Sequence, residues 1–80
     1  AKISRFDLDQ GINIIDFLSS ITSFLKSNGE ARRALHENSI SVNKTKVDES
    51  LVIGSVDLID DQYILLQRGK RNYFIVKVVD

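Results

Sequence analysis

Eighty residues carry eleven Lys and Arg against eleven Asp and Glu, with one His and neither Cys, Met nor Trp, which makes one small domain of zero net charge. The lack of cysteine excludes a disulfide framework and a thiolate metal site and fits a reducing cytoplasm. No apolar run approaches the roughly 20 residues that span a bilayer, and with no Met at position 1 the chain reads as a piece of a longer protein.

Residues 1–11, "AKISRFDLDQG", hold no apolar targeting segment. They are polar with isolated apolar side chains (Ile3, Phe6, Leu8) and read as a linker or extended arm, leaving 12–80 as the folded unit. Over 14–25, Ile14, Ile15, Phe17, Leu18, Ile21, Phe24 and Leu25 fall on one half of a helical wheel, and Asp16, Ser19, Ser20 and Ser23 on the other. That is an amphipathic helix facing a core, with Asn13 at its N-cap. "SNGE" at 27–30 matches a capping box, in which the serine oxygen caps a free N–H and the glutamate reaches back. It predicts a second helix over 28–37. Ala31, Ala34 and Leu35 form its buried stripe, Arg32, Arg33 and His36 lie opposite, and Asn38 supplies a left-handed stop.

"SISVN" alternates as a short strand with Ile40 and Val42 inward, and "NKTK" is a turn. Val47, Val52 and Ile53 mark short extended pieces around an acidic loop. "QYILLQ" and "NYFIVKVV" are rich in β-branched and aromatic residues and predict the main strands. Gly69 and Lys70 between them read as a two-residue type II′ loop, which sets Arg68 opposite Arg71. The fold class is therefore α+β: two packed helices against a small, mostly antiparallel sheet that ends in a C-terminal hairpin.

Zero net charge conceals segregation. From Lys26 to Lys46 five cations face two acids; from Val47 to Gln67 there are five acids and no cation; Arg68, Lys70 and Arg71 then follow in one turn. Like charges opposite each other on paired strands repel by a few tenths to about 1 kcal/mol. An anion seated between Arg68 and Arg71 would reverse that sign; the other reading is that these cations blunt the hairpin against edge-to-edge pairing. Arg32, Arg33 and His36 follow a helix N-terminus, whose free N–H groups suit phosphate, and Lys26 precedes it. Three recurring basic clusters, with the acids gathered elsewhere, point to nucleic acid bound through shape and phosphate with little base readout. The acidic loop at 48–61 is expected to face away.

Nothing supports catalysis. The single His36 sits among arginines, and no second histidine or cysteine completes a metal site. "NGE" and "RGK" each hold one glycine and form no phosphate-binding fingerprint. No cofactor is expected. Tyr63, Tyr73 and Phe74 have faces that can stack on bases, but their alternating strands read as core.

The stretch "LKSNGEARRALHENSISVNKTKV" resembles the small RNA-binding domain named after ribosomal small-subunit protein S-four. The tail "YILLQRGKRNYFIVKV" narrows this, being similar to the hairpin at the C-terminus of bacterial tyrosyl-tRNA synthetases. The resemblance covers about residues 12–79 and implies an appendage that grips tRNA(Tyr) near the anticodon stem and long variable arm. A separate Rossmann-type domain of the parent chain, its other partner, would activate tyrosine with ATP. Carried onto this chain, the implied RNA contacts are Lys26, Ser27 and Asn28 in the loop, Arg32, Arg33 and His36 on the helix, Lys44 and Lys46 at the strand turn, and Arg68, Lys70 and Arg71 in the hairpin. The chain departs from the pattern with Ser39 where relatives have glycine, Val-Asn-Lys for Val-Asn-Gly, and Gly29 for serine. The alternatives are a generic structured-RNA binder of another RNA-processing protein and a protein-interaction module.

Overall fold

The computed structural model describes residues 2–79. A five-stranded sheet runs in the order β1-β7-β6-β3-β4, where β1 is Lys2–Ser4, β3 Ile40–Val42, β4 Thr45–Lys46, β6 Tyr63–Arg68 and β7 Asn72–Val79. Only the β1–β7 pair is parallel. A second, two-stranded antiparallel sheet joins β2 (Ile12–Asn13) to β5 (Val52–Ile53). The α+β class and the mostly antiparallel sheet are as the sequence predicts.

The lead is not an arm. Lys2–Ser4 completes the sheet edge beside β7, and Arg5–Asp9 forms a helix, α1, capped by the Ser4 hydroxyl, which accepts from the Asp7 N–H at 3.1 Å. Ile3 and Leu8 are buried in the core; a fully buried leucine contributes about 1.5–3 kcal/mol. Of the three isolated apolar residues, Ile3 is buried from β1 and Leu8 from the single inward position of the short α1, while Phe6 stays 72% exposed. Gly11, at φ +84°, then redirects the chain into β2; a Cβ there would stand 3.1 Å from Val52 Cγ1.

The next helix, α2, starts at Ile14–Asp16, with Asn13 Oδ1 accepting from the Ile15 N–H at 2.8 Å as its N-cap. Over Phe17–Ile21 it widens into a π-helix and stops. The Thr22 hydroxyl donates to Phe17 O, five residues back, at 2.7 Å, and Ser23 enters the left-handed region at φ +59°. Widening a turn breaks the spacing on which the helical wheel depends. Ser19, on the polar half of the wheel, is therefore buried, and Ile21, on the apolar half, is 44% exposed. Phe24 leaves the helix and stacks on Phe74, with ring centroids 5.3 Å apart.

Asn28–His36 forms α3. Ser27 Oγ accepts from the Glu30 N–H, Ala31, Ala34 and Leu35 are buried, and Asn38 sits at φ +57°. The core between the helices and the main sheet joins Leu8, Phe17 and Leu18 to Ile40, Ile64, Leu66 and Val76. No described buried side-chain N or O atom lacks a hydrogen-bond partner. No helix among the described residues is long and apolar enough to cross a membrane.

Candidate nucleic-acid interface

The hairpin tip is built differently from the sequence expectation. In the β6–β7 register Arg68 pairs with Asn72, so the loop is Gly69, Lys70 and Arg71, and Arg71 does not oppose Arg68. Gly69 takes the left-handed position at φ +67°, and its N–H donates to Ser39 O at 2.8 Å. The predicted repulsion does not arise. Arg68 lies on the helix side of the sheet, in the row of Ile40. Its Nη1 donates to Glu30 Oε1 at 2.7 Å, with both side chains about a quarter exposed. The other Glu30 oxygen accepts from the Lys26 N–H at 3.3 Å. Glu30 thus reaches back one residue past the N-cap, and ties the 26–28 loop, α3 and β6 together. The Arg68 hydrogen bond, followed by the Lys26 N–H, holds its carboxyl below the ordinary glutamate range.

Around this brace lies a groove of about 410 Å³, lined by Phe24, Leu25, Lys26, Glu30, Arg68, Arg71, Asn72 and Tyr73. A second depression of about 480 Å³ adjoins it across Leu25 and Lys26 and runs past Ser19, Ser20, Ser23, Ser27 and Asn28. The two are continuous along the 23–28 loop and end on the N-terminus of α3. Ser27 caps Glu30 there, and Asn28 Oδ1 receives the Ser19 hydroxyl; among the described residues the N–H groups of Asn28 and Gly29 meet no protein acceptor. Lys26, Ser27, Asn28, Arg68 and Arg71 are therefore brought together, and Lys70 is exposed at the tip beside them. Arg32 and Arg33 are exposed on α3, and among the described residues neither has an ion-pair partner.

Three expected contacts lie elsewhere or have partners. His36 Nε2 is 3.2 Å from Glu49 Oε2. That pair also corrects the acidic loop: its Asp48–Glu49 end folds against the last turn of α3 instead of facing away. Asp61, at the other end, binds Arg5 at 3.0 Å next to α1. Lys46 Nζ donates to Asn38 O at 2.8 Å, which caps the end of α3. Lys44 sits in the β3–β4 turn, about 10 Å along β6 from the Arg68 level. Among the described residues no group of His, Asp and Glu side chains forms a metal site.

One groove residue escaped the sequence reading. Tyr73, expected in the core, is 55% exposed, because Phe74 and Val76 take the inward positions of β7. Its neighbour Asn72, opposite Arg68, fixes which way the alternation falls, but only the three-residue loop reveals it.

Comparison with known proteins shows which family the chain is similar to. A family model described as the tyrosine–tRNA ligase SYY-like C-terminal domain matches residues 1–76. A tyrosine–tRNA ligase of Flavobacterium johnsoniae is 53% identical over 99% of this chain and 18% of its own length. Those of Flavobacterium psychrophilum and Cytophaga hutchinsonii are 54% and 36% identical, over 98% and 95% of this chain and 18% of theirs. The chain thus spans about a fifth of the length of these relatives. The match also includes the lead that the sequence reading set apart, in keeping with its place in the sheet and core. From its first strand onward, the chain belongs to the family of tyrosine–tRNA ligase C-terminal domains.

Proposed function

We propose that this domain docks tRNA(Tyr), holding the region of the anticodon stem and long variable arm while a catalytic domain of the same polypeptide attaches tyrosine. The observation that carries this reading is the continuous basic groove. Lys26 and Arg71 flank it, the open N–H groups of α3 close one end, and Arg68 is held in its wall by Glu30. Backbone N–H groups, a helix N-terminus and unpaired cations suit phosphate, and they fix an orientation on RNA without reading its bases. Arg32 and Arg33 extend the same positive surface along α3, and Lys70 extends it at the tip. Ser27 and Asn28 serve by shaping the loop that presents Lys26. The domain itself performs no reaction and needs no cofactor; it supplies binding energy and positioning for a distant site in the cytoplasmic ligase.

The test is a salt series of binding to tRNA(Tyr), with a tRNA lacking a long variable arm as control. Neutralising about four to six phosphates gives a log–log slope of roughly −3 to −5. A steep slope with preference for the long-arm tRNA is expected. A steep slope without preference would leave a generic RNA binder, and absence of binding at low salt would leave a protein-docking module.

A further inference from the structure

We infer that the outer face of the main sheet, turned away from the helices, is a second RNA-binding surface, where unpaired bases stack on Tyr73 and Tyr63 and a phosphate is held by Lys2 and Lys77. The inference rests on the reading of the domain as an RNA binder, and adds to it a base-contacting surface separate from the groove.

The strand register sets this face out in rows. Lys2, Lys77 and Tyr63 share one row across β1, β7 and β6; Ile75 lies opposite Leu65 in the next, and Tyr73 opposite Gln67 in the one after. The side chains between them, Ile3, Ile64, Leu66 and Val76, point the other way into the core. Tyr73 borders the groove, but its ring belongs to the outer face, where Gln67 donates from Nε2 to the Tyr73 hydroxyl at 3.4 Å and to Gly69 O at 2.9 Å. No described helix covers this face. Tyr73 and Ile75 are more than half exposed, and Tyr63 and Leu65 are half-buried.

Tyr63 and Gln67 are four residues apart on β6, so the two tyrosines stand about 14 Å apart, with Leu65 and Ile75 between them. Open sheets that present aromatic side chains stack two or three unpaired bases. The Tyr73 ring, held at its hydroxyl, loses little freedom when a base settles on it. Stacking tolerates any base, so the face selects unpaired nucleotides and not a particular sequence.

Charge decides between RNA and a protein as the occupant. Lys2 and Lys77 are neighbours in one row, both are exposed, and neither has an ion-pair partner among the described residues. Like charges so placed repel. None of the strand residues on this face is acidic. A protein laid over the face, a second copy of this chain included, would have to bury that lysine pair, whereas one phosphate turns its repulsion into attraction. Beyond Tyr73 the hairpin leads into Arg71 and Lys70, so the face adjoins the basic tip.

The test is hydroxyl-radical footprinting of the full-length ligase, free and with tRNA(Tyr). In the free ligase Tyr73 and Ile75 are expected to be modified as readily as in this chain alone, and tRNA(Tyr) is expected to protect them severalfold. Tyr73→Ala should raise the dissociation constant about tenfold with the salt slope unchanged, because a stacking contact and no phosphate contact is lost. Lys77→Ala should lower the slope by about 0.7. Circular dichroism of both variants checks that these exposed substitutions leave the fold intact.

If tRNA binds with a steep salt slope but leaves Tyr73 and Ile75 unprotected, and Tyr73→Ala binds as the parent does, the outer-face surface is wrong and the phosphate-docking reading stands. Protection already present in the ligase before RNA is added would make the face a protein interface and overturn the inference. If the ligase binds tRNA(Tyr) with no contribution from this domain, both readings fall together.

Discussion

The chain has two basic turns, and they do different work. The β3–β4 turn places Asn43 and Lys44 at φ +52° and +71°, two non-glycine residues in the left-handed region. It holds this conformation because Asn43 is tied down on both sides. Its Nδ2 donates to Asp57 O, and its Oδ1 accepts from the Leu65 N–H at 2.9 Å. The β6–β7 turn gives the left-handed position to Gly69 and leaves Lys70 and Arg71 exposed beside an aromatic groove. Local charge is similar at the two turns. What separates them is what surrounds the cations: a turn anchored through Asn43 to Asp57 and β6 in one, an open groove and a helix N-terminus in the other. A lysine in a turn is thus a nucleic-acid candidate only when tertiary neighbours leave it a ligand to meet.

This contrast can be broken from either side. The largest effect on stability is expected from Asn43→Ala. It removes two hydrogen bonds and leaves a Cβ residue in the left-handed region, a loss of about 2–3 kcal/mol, read as a lower denaturation midpoint. A midpoint within experimental error of the parent would mean that the first turn is not structurally anchored. Arg71→Ala should do the reverse. Stability stays where it was, while tRNA affinity falls about five- to tenfold and the salt slope shrinks by about 0.7–0.9. An unchanged slope would remove Arg71 from the phosphate contacts.

Arg68 tests the boundary between the two kinds of role. Were it held against Arg71, Arg68→Thr would stabilise; paired with Glu30 it is expected to destabilise instead. Combining Arg68→Thr with Glu30→Gln should cost little more than either alone, because both remove one interaction. Full additivity would show that the pair is not coupled. The same pair predicts a pH dependence. Glu30 has its folded pKa depressed, so its contribution is present above the ordinary carboxylate range and is lost as pH falls through the lower, folded value. Unfolding followed across about pH 6 to 3 should therefore be steeper for the parent than for Glu30→Gln. Identical profiles would sink that assignment.

The smallest effect is at Lys44. Lys44→Gly relieves the left-handed φ and is expected to stabilise by about 0.5–1 kcal/mol. Its tRNA affinity should be unchanged, although the family resemblance nominates Lys44 as a contact. A clear loss of affinity would return Lys44 to the interface.

Much of the fold was legible because its signals are local. The Asn13 and Ser27 caps, the Ala31–Ala34–Leu35 stripe, the Asn38 stop and the two long strands each depend on neighbours within one turn or one pleat. The π-helix was not, because its wider turn abandons the residue spacing that the wheel takes for granted. The lead was misread for a related reason. Ile3 lies in register with Val78 of β7, and the helix that carries Leu8 packs near Ser55–Asp57, nearly fifty residues on, so no short window contains their partners.

By itself, the sequence determined the class of the fold, the capping of its helices, the segregation of its charge and the family resemblance. Each of these resides in residue types and short spacings that hold in any context. Only the tertiary structure decided which cations remain open to a ligand. Arg68, His36 and Lys46 are drawn to Glu30, Glu49 and the end of α3, whereas Lys26 and Arg71 meet across one groove with Tyr73. The physical reason is that pairing energy depends on distance in space, and a one-residue change of loop length at Gly69 swings every side chain of the following strand to the opposite face.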